Sequence, residues 1–141
     1  MLSRGFLIAL EGIDGAGKTT QAQLLKEFLL KKGLVLSKSE GFEVVCFKEP
    51  TQGPWGKKIS EIAQKGREGI TAREEMDLFL KDREEDVKNN ILPALRQNKI
   101  VIMDRYYYSS IAYQGALGLD PNEIKAINEQ RFPKPDLVFI L

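Results

Sequence analysis

The stretch Gly12-Ile13-Asp14-Gly15-Ala16-Gly17-Lys18-Thr19-Thr20, entered from the apolar run Phe6-Leu7-Ile8-Ala9-Leu10, constrains this chain more than any other. It has the form glycine, four residues, then Gly-Lys-Ser/Thr, between a strand-like run and a helix-like one, the context in which the pattern has physical meaning. Glycines at 12, 15 and 17 open backbone conformations closed to residues with a Cβ, so successive N–H groups can turn inward on phosphate oxygens. Lys18 brings positive charge toward the β- and γ-phosphates and the Thr19 hydroxyl can ligate Mg²⁺. The helix that begins here turns its positive end on the anion. Gly12 through Thr20 therefore reads as a phosphate cradle, against the plainer alternative of a glycine-rich turn.

Any such anion site has to be local. Twenty-one basic and 20 acidic residues leave a formal net charge of +1, which exerts no global pull toward nucleic acid or an anionic membrane. No apolar run approaches the ~18 residues that cross a bilayer, and Glu11 and Asp14 interrupt the N-terminal one, so it reads as a strand. The chain has no histidine, which removes histidine acid–base catalysis and His-ligated metals. A single cysteine, Cys46, lies in an apolar run and is expected to be a buried thiol in a reducing cytosol. With 141 residues and 43% hydrophobic content, one globular domain over 1–141 is expected.

Ala22, Leu24, Leu25, Phe28 and Leu29 recur at helical spacing up to Lys31-Lys32-Gly33, where the helix should end, and 34–42 reads as a loop. The strand Glu43-Val44-Val45-Cys46-Phe47 then delivers Lys48-Glu49-Pro50, followed by turn formers to Gly56. In an open α/β sheet ligands sit beyond the carboxyl ends of strands, so this loop is either a substrate contact or a plain connection. A short helix carrying Ile59, Ile62 and Ala63 follows. Thr71-Ala72-Arg73-Glu74 has capping-box form and opens a long helix toward Leu95, with Pro93 kinking or restarting it.

On that helix Phe79 and Arg83 stand four apart and share a face. A flat ring beside a guanidinium can stack a nucleobase and bond its edge, but on spacing alone core packing plus a surface ion pair is the better reading. Asp82, Glu84, Glu85 and Asp86 read as a solvated face. Ile100-Val101-Ile102-Met103 is a continuous apolar run, typical of a parallel strand buried on both sides, and it ends in Asp104-Arg105. There an acidic residue can reach a magnesium shell and an arginine can fork onto phosphate, or the two can form a structural ion pair. All four tyrosines, 106, 107, 108 and 113, follow with Ser109, Ser110 and Gln114, and could wall a base-and-sugar pocket. Asp120-Pro121 starts a last helix, and Leu137-Val138-Phe139-Ile140-Leu141 is a fourth strand. Four strands alternating with helices imply right-handed crossovers and a parallel sheet.

Taken together, Glu11 through Thr20, Lys48-Glu49-Pro50, Phe79 with Arg83, and Asp104-Arg105-Tyr106 followed by Ser109 to Gly115 resemble the thymidylate kinase family. The resemblance implies an α/β phosphate-loop NTPase fold of three layers, a parallel sheet flanked by helices. It also implies ATP as donor with Mg²⁺, thymidine monophosphate as acceptor, and a cytoplasmic homodimer. By the same resemblance Phe79 stacks on thymine, Arg83 bonds its edge, and Ser110 and Gln114 lie on the base side. Tyr113 crowds the sugar 2′ position, Asp14 contacts the 3′-hydroxyl, and Arg105 clamps phosphate. Lys48, Glu49 and Pro50 border the acceptor, while Thr19 and Asp104 serve the metal.

Three departures accompany the resemblance. The 34–42 segment is longer than the usual connection, and Lys48 stands where many members carry arginine, a point charge instead of a fork. The family also continues past the fourth strand into an arginine-bearing lid and a fifth strand, so the expectation is a C-terminally incomplete domain. An acceptor phosphate with a second pKa near ~6 is already largely dianionic at neutral pH and needs no protein base. Lys18, Arg105 and Mg²⁺ would then supply charge neutralisation and in-line positioning. The rivals are a deoxynucleoside kinase with Glu49 as base, and a non-catalytic nucleotide switch or ATPase module.

Overall fold

Along Phe6–Glu11, the strand β1, side chains leave opposite faces of the sheet in turn, and each face buries its own set. Leu7 and Ala9 join one apolar cluster, Ile8 and Leu10 another. The computed structural model describes residues 5–36 and 43–141. Three further strands, β2 (Val44–Lys48), β3 (Ile100–Asp104) and β4 (Leu137–Ile140), pair in parallel with β1 in the order β2-β3-β1-β4.

One face is covered by α1 (Lys18–Leu36), through Ala22, Leu25, Leu29 and Leu30 against Ile8, Leu10 and Ile102. The other is covered by α3 (Ala72–Asp86), a π-helical segment (Val87–Ile91), α4 (Leu92–Arg96), α5 (Tyr107–Ala116) and α6 (Pro121–Arg131). The remaining helix, α2 (Pro54–Lys65), packs on α3. This is the parallel, helix-flanked α/β architecture expected from the alternation of strands and helices.

Local signals account for most boundaries. Thr71 and Glu74 form the reciprocal cap at the start of α3, and Asp120 accepts from the Asn122 N–H at 2.9 Å ahead of Pro121. The long helix is indeed interrupted: it widens into the π-helical segment just before Pro93, which occupies the first turn of α4. Two expected boundaries shift. Helix α1 runs past Gly33 to Leu36, since a glycine inside a helix costs only about 1 kcal/mol relative to alanine. The turn-rich segment ends at Gly53, because Pro54 takes the first position of α2. The rest of the expected 34–42 loop, residues 37–42, lies outside the described residues.

Burial corrects three further expectations. Cys46 is exposed, since β2 is an edge strand of the sheet. Asp82 and Asp86 are buried, whereas Glu84 is exposed, so the acidic run is not one solvated face. Tyr106 and Tyr107 are wholly buried in the core instead of walling a pocket, and the Tyr106 hydroxyl donates to the Pro133 carbonyl at 2.8 Å.

Candidate active site

Strands β1 and β3 lie side by side, yet the chain leaves β1 toward β2 on one side and leaves β3 toward β4 on the other. Their carboxyl ends therefore open a crevice at a topological switch point, the place where parallel sheets bind ligands. Residues 12–20 follow one of these ends and Asp104-Arg105 the other, with Leu10 in register with Asp104. Lys48 at the end of β2 is also in register with Asp104, and the Glu49 N–H donates to the Asp104 carbonyl at 3.1 Å.

A cavity of about 290 Å³ occupies this crevice, lined by Asp14, Gly15, Gly17, Lys18, Thr19, Thr20, Lys48, Asp104 and Arg105. Gly15 and Gly17 adopt φ of +81° and +88°, in the left-handed region that side chains disfavour. Lys18 is buried at 6% exposure and folds back to donate from Nζ to the Ile13 carbonyl at 2.7 Å. The Thr19 hydroxyl donates to Asp104 Oδ2 at 2.7 Å, which sets two hard oxygen donors side by side. Arg105, itself at φ +70°, pairs with the exposed carboxylate of Asp14 and places its guanidinium 5.6 Å from the centre of the Tyr113 ring.

A second cluster is built on Arg83. Its side chain is buried, so the surface ion pair weighed from its spacing is not what forms. Nε donates to Glu49 Oε1 at 2.8 Å, Nη1 to Asn128 Oδ1 at 2.7 Å, and Nη2 to Ser110 Oγ at 3.3 Å. The guanidinium carbon also sits 5.5 Å from the centre of the Tyr106 ring. Phe79, one turn earlier, is half-buried. Gln114 is fully buried, with neither amide oxygen nor amide nitrogen bonded to the protein. The cluster thus gathers Glu49, Arg83, Ser110 and Asn128 from four separate stretches of chain.

Burial pushes the Glu49 carboxyl well above the ordinary carboxylate range, against the opposing pull of Arg83. A carboxyl almost free of solvent, with one oxygen already committed to Arg83, is poorly placed to reach an acceptor hydroxyl, which weighs against the hydroxyl-acceptor rival.

Three participants were not among the expected site residues. Asn128 on α6 is fully buried, anchors Arg83, and is itself held by donating to the Ile124 carbonyl at 2.8 Å. Asp86, within the run expected to be solvated, is buried and accepts from Asn90 Nδ2 at 2.9 Å. Glu11 accepts from the Tyr106 N–H and from the Ser109 hydroxyl, locking the turn after Arg105 onto the end of β1, and burial raises its carboxyl above the usual range. Glu11 had a visible signal, an acid closing an apolar strand. Asn128 had none, since a lone asparagine on a helix is ordinary surface.

A family model described as thymidylate kinase matches residues 10–141. Among curated proteins, the probable thymidylate kinase of Archaeoglobus fulgidus is 49% identical over 135 residues, 96% of this chain and 63% of that protein. The thymidylate kinase of Xanthomonas campestris pv. campestris (strain B100) is 47% identical over 137 residues, 97% of this chain and 56% of that protein. The chain therefore spans less than two thirds of the length of these curated relatives. Among solved structures, the thymidylate kinase of Ehrlichia chaffeensis matches with a TM-score of 0.78 and 36% identity, covering 96% of this chain and 70% of that one. The sheet and its helices have the phosphate-loop NTPase fold that the sequence implies.

Proposed function

The chain belongs to the thymidylate kinase family, and on that premise we propose that the intact protein transfers the γ-phosphoryl group of ATP to thymidine monophosphate. The observation that carries this reading is the meeting of Lys18, Thr19, Asp104 and Arg105 around one cavity at the switch point. In this reading Gly12 through Thr20 cradle the ATP phosphates, and Lys18 exchanges its bond to the Ile13 carbonyl for phosphate oxygens. Arg105 turns its fork to the acceptor phosphate, and Asp14, its present partner, is released toward the sugar 3′-hydroxyl. Lys48 adds a point charge on the acceptor side of the cavity.

The donor set suits Mg²⁺. Thr19 and Asp104 offer a hydroxyl and a carboxylate, and Mg²⁺ is typically held by one or two such protein oxygens together with substrate phosphates and water. Among the described residues no group of three or more acidic, Cys or His side chains competes to hold a metal. When bound, the ion supplies neutralisation of the charge on the transferring phosphoryl group. The acceptor dianion needs no proton removed, which agrees with the absence of histidine.

The second cluster is assigned to the base. Phe79 stacks on thymine, two N–H groups of Arg83 remain for its edge, and Ser110 and Gln114 complete the polar contacts. Tyr113 crowds the 2′ position of the sugar, and Pro50 with Glu49 shapes the neighbouring wall. No helix among the described residues is long and apolar enough to cross a membrane. A cytoplasmic homodimer accompanies the reading as a family expectation.

A coupled assay with Mg²⁺ and ATP across a panel of nucleosides and nucleoside monophosphates tests it. Thymidine monophosphate should be the preferred acceptor. Preference for thymidine itself would sink the reading, and ATP hydrolysis indifferent to every acceptor would assign a switch or ATPase module instead.

A further inference from the structure

Asp82 is only 1% exposed, and both of its oxygens are given to one residue. Oδ2 accepts from the Thr51 N–H at 2.9 Å and Oδ1 from the Thr51 hydroxyl at 2.6 Å. The same hydroxyl oxygen accepts from the Gly53 N–H at 3.0 Å, so its single proton is the one that Asp82 holds. Asp82 therefore takes two donors. An asparagine of the same shape cannot fill that role, because its amide sets a donor where Asp82 has its second oxygen.

What Asp82 holds is the stretch that follows β2. The Glu49 N–H still belongs to the sheet, donating to the Asp104 carbonyl at 3.1 Å, and Pro50 has no N–H to give. Thr51 is the next anchor. Two adjacent residues of α3 thus grip the loop in opposite senses: Arg83 donates to Glu49 Oε1 at 2.8 Å, while Asp82 accepts from Thr51. Helix α2 closes over the grip, because Gly56 is buried with no room for a Cβ against the Thr51 carbonyl oxygen. Trp55, the only tryptophan of the chain, stands in the same turn, its ring centre 4.6 Å from the Nζ of Lys81, the residue before Asp82.

We propose that Asp82 is a positioning residue for the acceptor site: by gripping Thr51 it holds residues 49–51 against α3, so that Glu49 keeps Arg83 Nε and the two N–H groups Arg83 has left stay aimed at the acceptor base. Three bonds fix the plane of a guanidinium only while the atoms that receive them are themselves fixed. Ser110 and Asn128 stand on helices α5 and α6, whereas Glu49 lies just past the end of β2, and the grip of Asp82 is what steadies it. Released at Thr51, the loop swings about the end of β2 and Arg83 turns with it. Acceptor binding then weakens, while ATP binding at the phosphate loop does not follow. The aim at a base rests on the function proposed above; the grip does not.

Trp55 emission from the intact protein reads the grip without any ligand. Asp82→Asn, and Thr51→Val, which removes the hydroxyl and changes no charge, should each shift the emission to longer wavelength as the turn lifts from Lys81. Thr51→Ser, which keeps the hydroxyl, should emit as wild type does. An unaltered spectrum in either of the first two overturns the grip. Titration calorimetry then reads the aim: Asp82→Asn should raise the Kd for thymidine monophosphate about tenfold and Thr51→Val about fivefold, with Thr51→Ser and every ATP Kd within about twofold of wild type. Both changes break one contact, so their combination should bind thymidine monophosphate no more weakly than Asp82→Asn alone. Losses that multiply in the combination, or that are equal for the two nucleotides, overturn the positioning role. If Asp82→Asn does not fold, the contrast between Thr51→Val and Thr51→Ser decides by the same readouts. A wild type that binds no thymidine monophosphate, with the emission shift present, overturns the acceptor reading and the aim of Arg83 with it, and leaves the grip standing.

Discussion

Arg83 and Glu49, from α3 and the end of β2, meet Nε to Oε1 at 2.8 Å with only 2% and 4% of their side chains exposed. A charge pair this dry is retained at a cost, since removing one partner of a buried pair typically destabilises by about 3–5 kcal/mol. Its worth lies in geometry: a planar guanidinium gripped by Glu49, Asn128 and Ser110 has a fixed plane, which a lysine ammonium cannot reproduce. Arg83→Lys should therefore weaken thymidine monophosphate binding by about tenfold or more while the ATP Kd stays within about twofold. Titration calorimetry with each nucleotide decides it, and equal losses for both would reject a base-side role.

Lys18 lines the cavity at the switch point from a buried position where its amine rests on the Ile13 carbonyl. Losing one preorganised positive group that acts on developing charge costs on the order of 10²–10³ in kcat. Lys18→Ala should show that fall in a coupled assay, with a melting temperature shifted by no more than a few degrees. Unchanged turnover would remove Lys18 from the mechanism.

The start of α3 offers a test of the fold that leaves the site alone. Thr71 Oγ1 accepts from the Glu74 N–H at 3.1 Å, and the Glu74 carboxylate accepts from the Thr71 N–H at 3.0 Å. Thr71→Ala breaks this reciprocal cap at a cost of about 1 kcal/mol. Urea unfolding should show a lower midpoint at unchanged m-value, with Tm down by roughly 3 °C.

Stability should also fall as pH is raised. Glu11, Glu49 and Asp86 are held above their ordinary values of 4.5, 4.5 and 3.8, in each case chiefly because burial penalises the charged form. Above those values the unfolded chain has released protons that the folded chain still binds, so these groups favour the folded state less with each step upward through their raised values. Unfolding at mildly acidic pH should then release protons into weakly buffered solution. Glu49→Gln should flatten the dependence of the urea midpoint on pH; an unaltered slope would contradict the assignment.

The phosphate loop, the alternation of strands and helices, and the Thr71 cap were readable because each depends on residues close together in sequence. Asp104 was readable as a residue of the crevice because a continuous apolar run announces a central strand and so fixes which end faces it. Asp82 and Asp86 were misread for a corresponding reason. Spacing shows which residues share a helix face, but not that Thr51 and Glu49 arrive from another strand end to bury two of the acids on it. Cys46 looked buried because an apolar run does not reveal that its strand lies at the sheet edge.

What the chain's order of residues determined by itself is the chemistry available: a glycine-rich loop with Lys18 and Thr19, a strand ending in Asp104-Arg105, and no histidine to demand a proton-transfer mechanism. What only the tertiary structure decided is the state of those groups. Spacing alone favours core packing plus a surface ion pair for Phe79 and Arg83; the fold instead closes Glu49, Ser110 and Asn128 around a buried Arg83 from 34, 27 and 45 positions away. Local periodicity cannot encode which distant polar atoms will share one dry space, and that shared space sets both the direction of a guanidinium and whether a carboxyl keeps its proton.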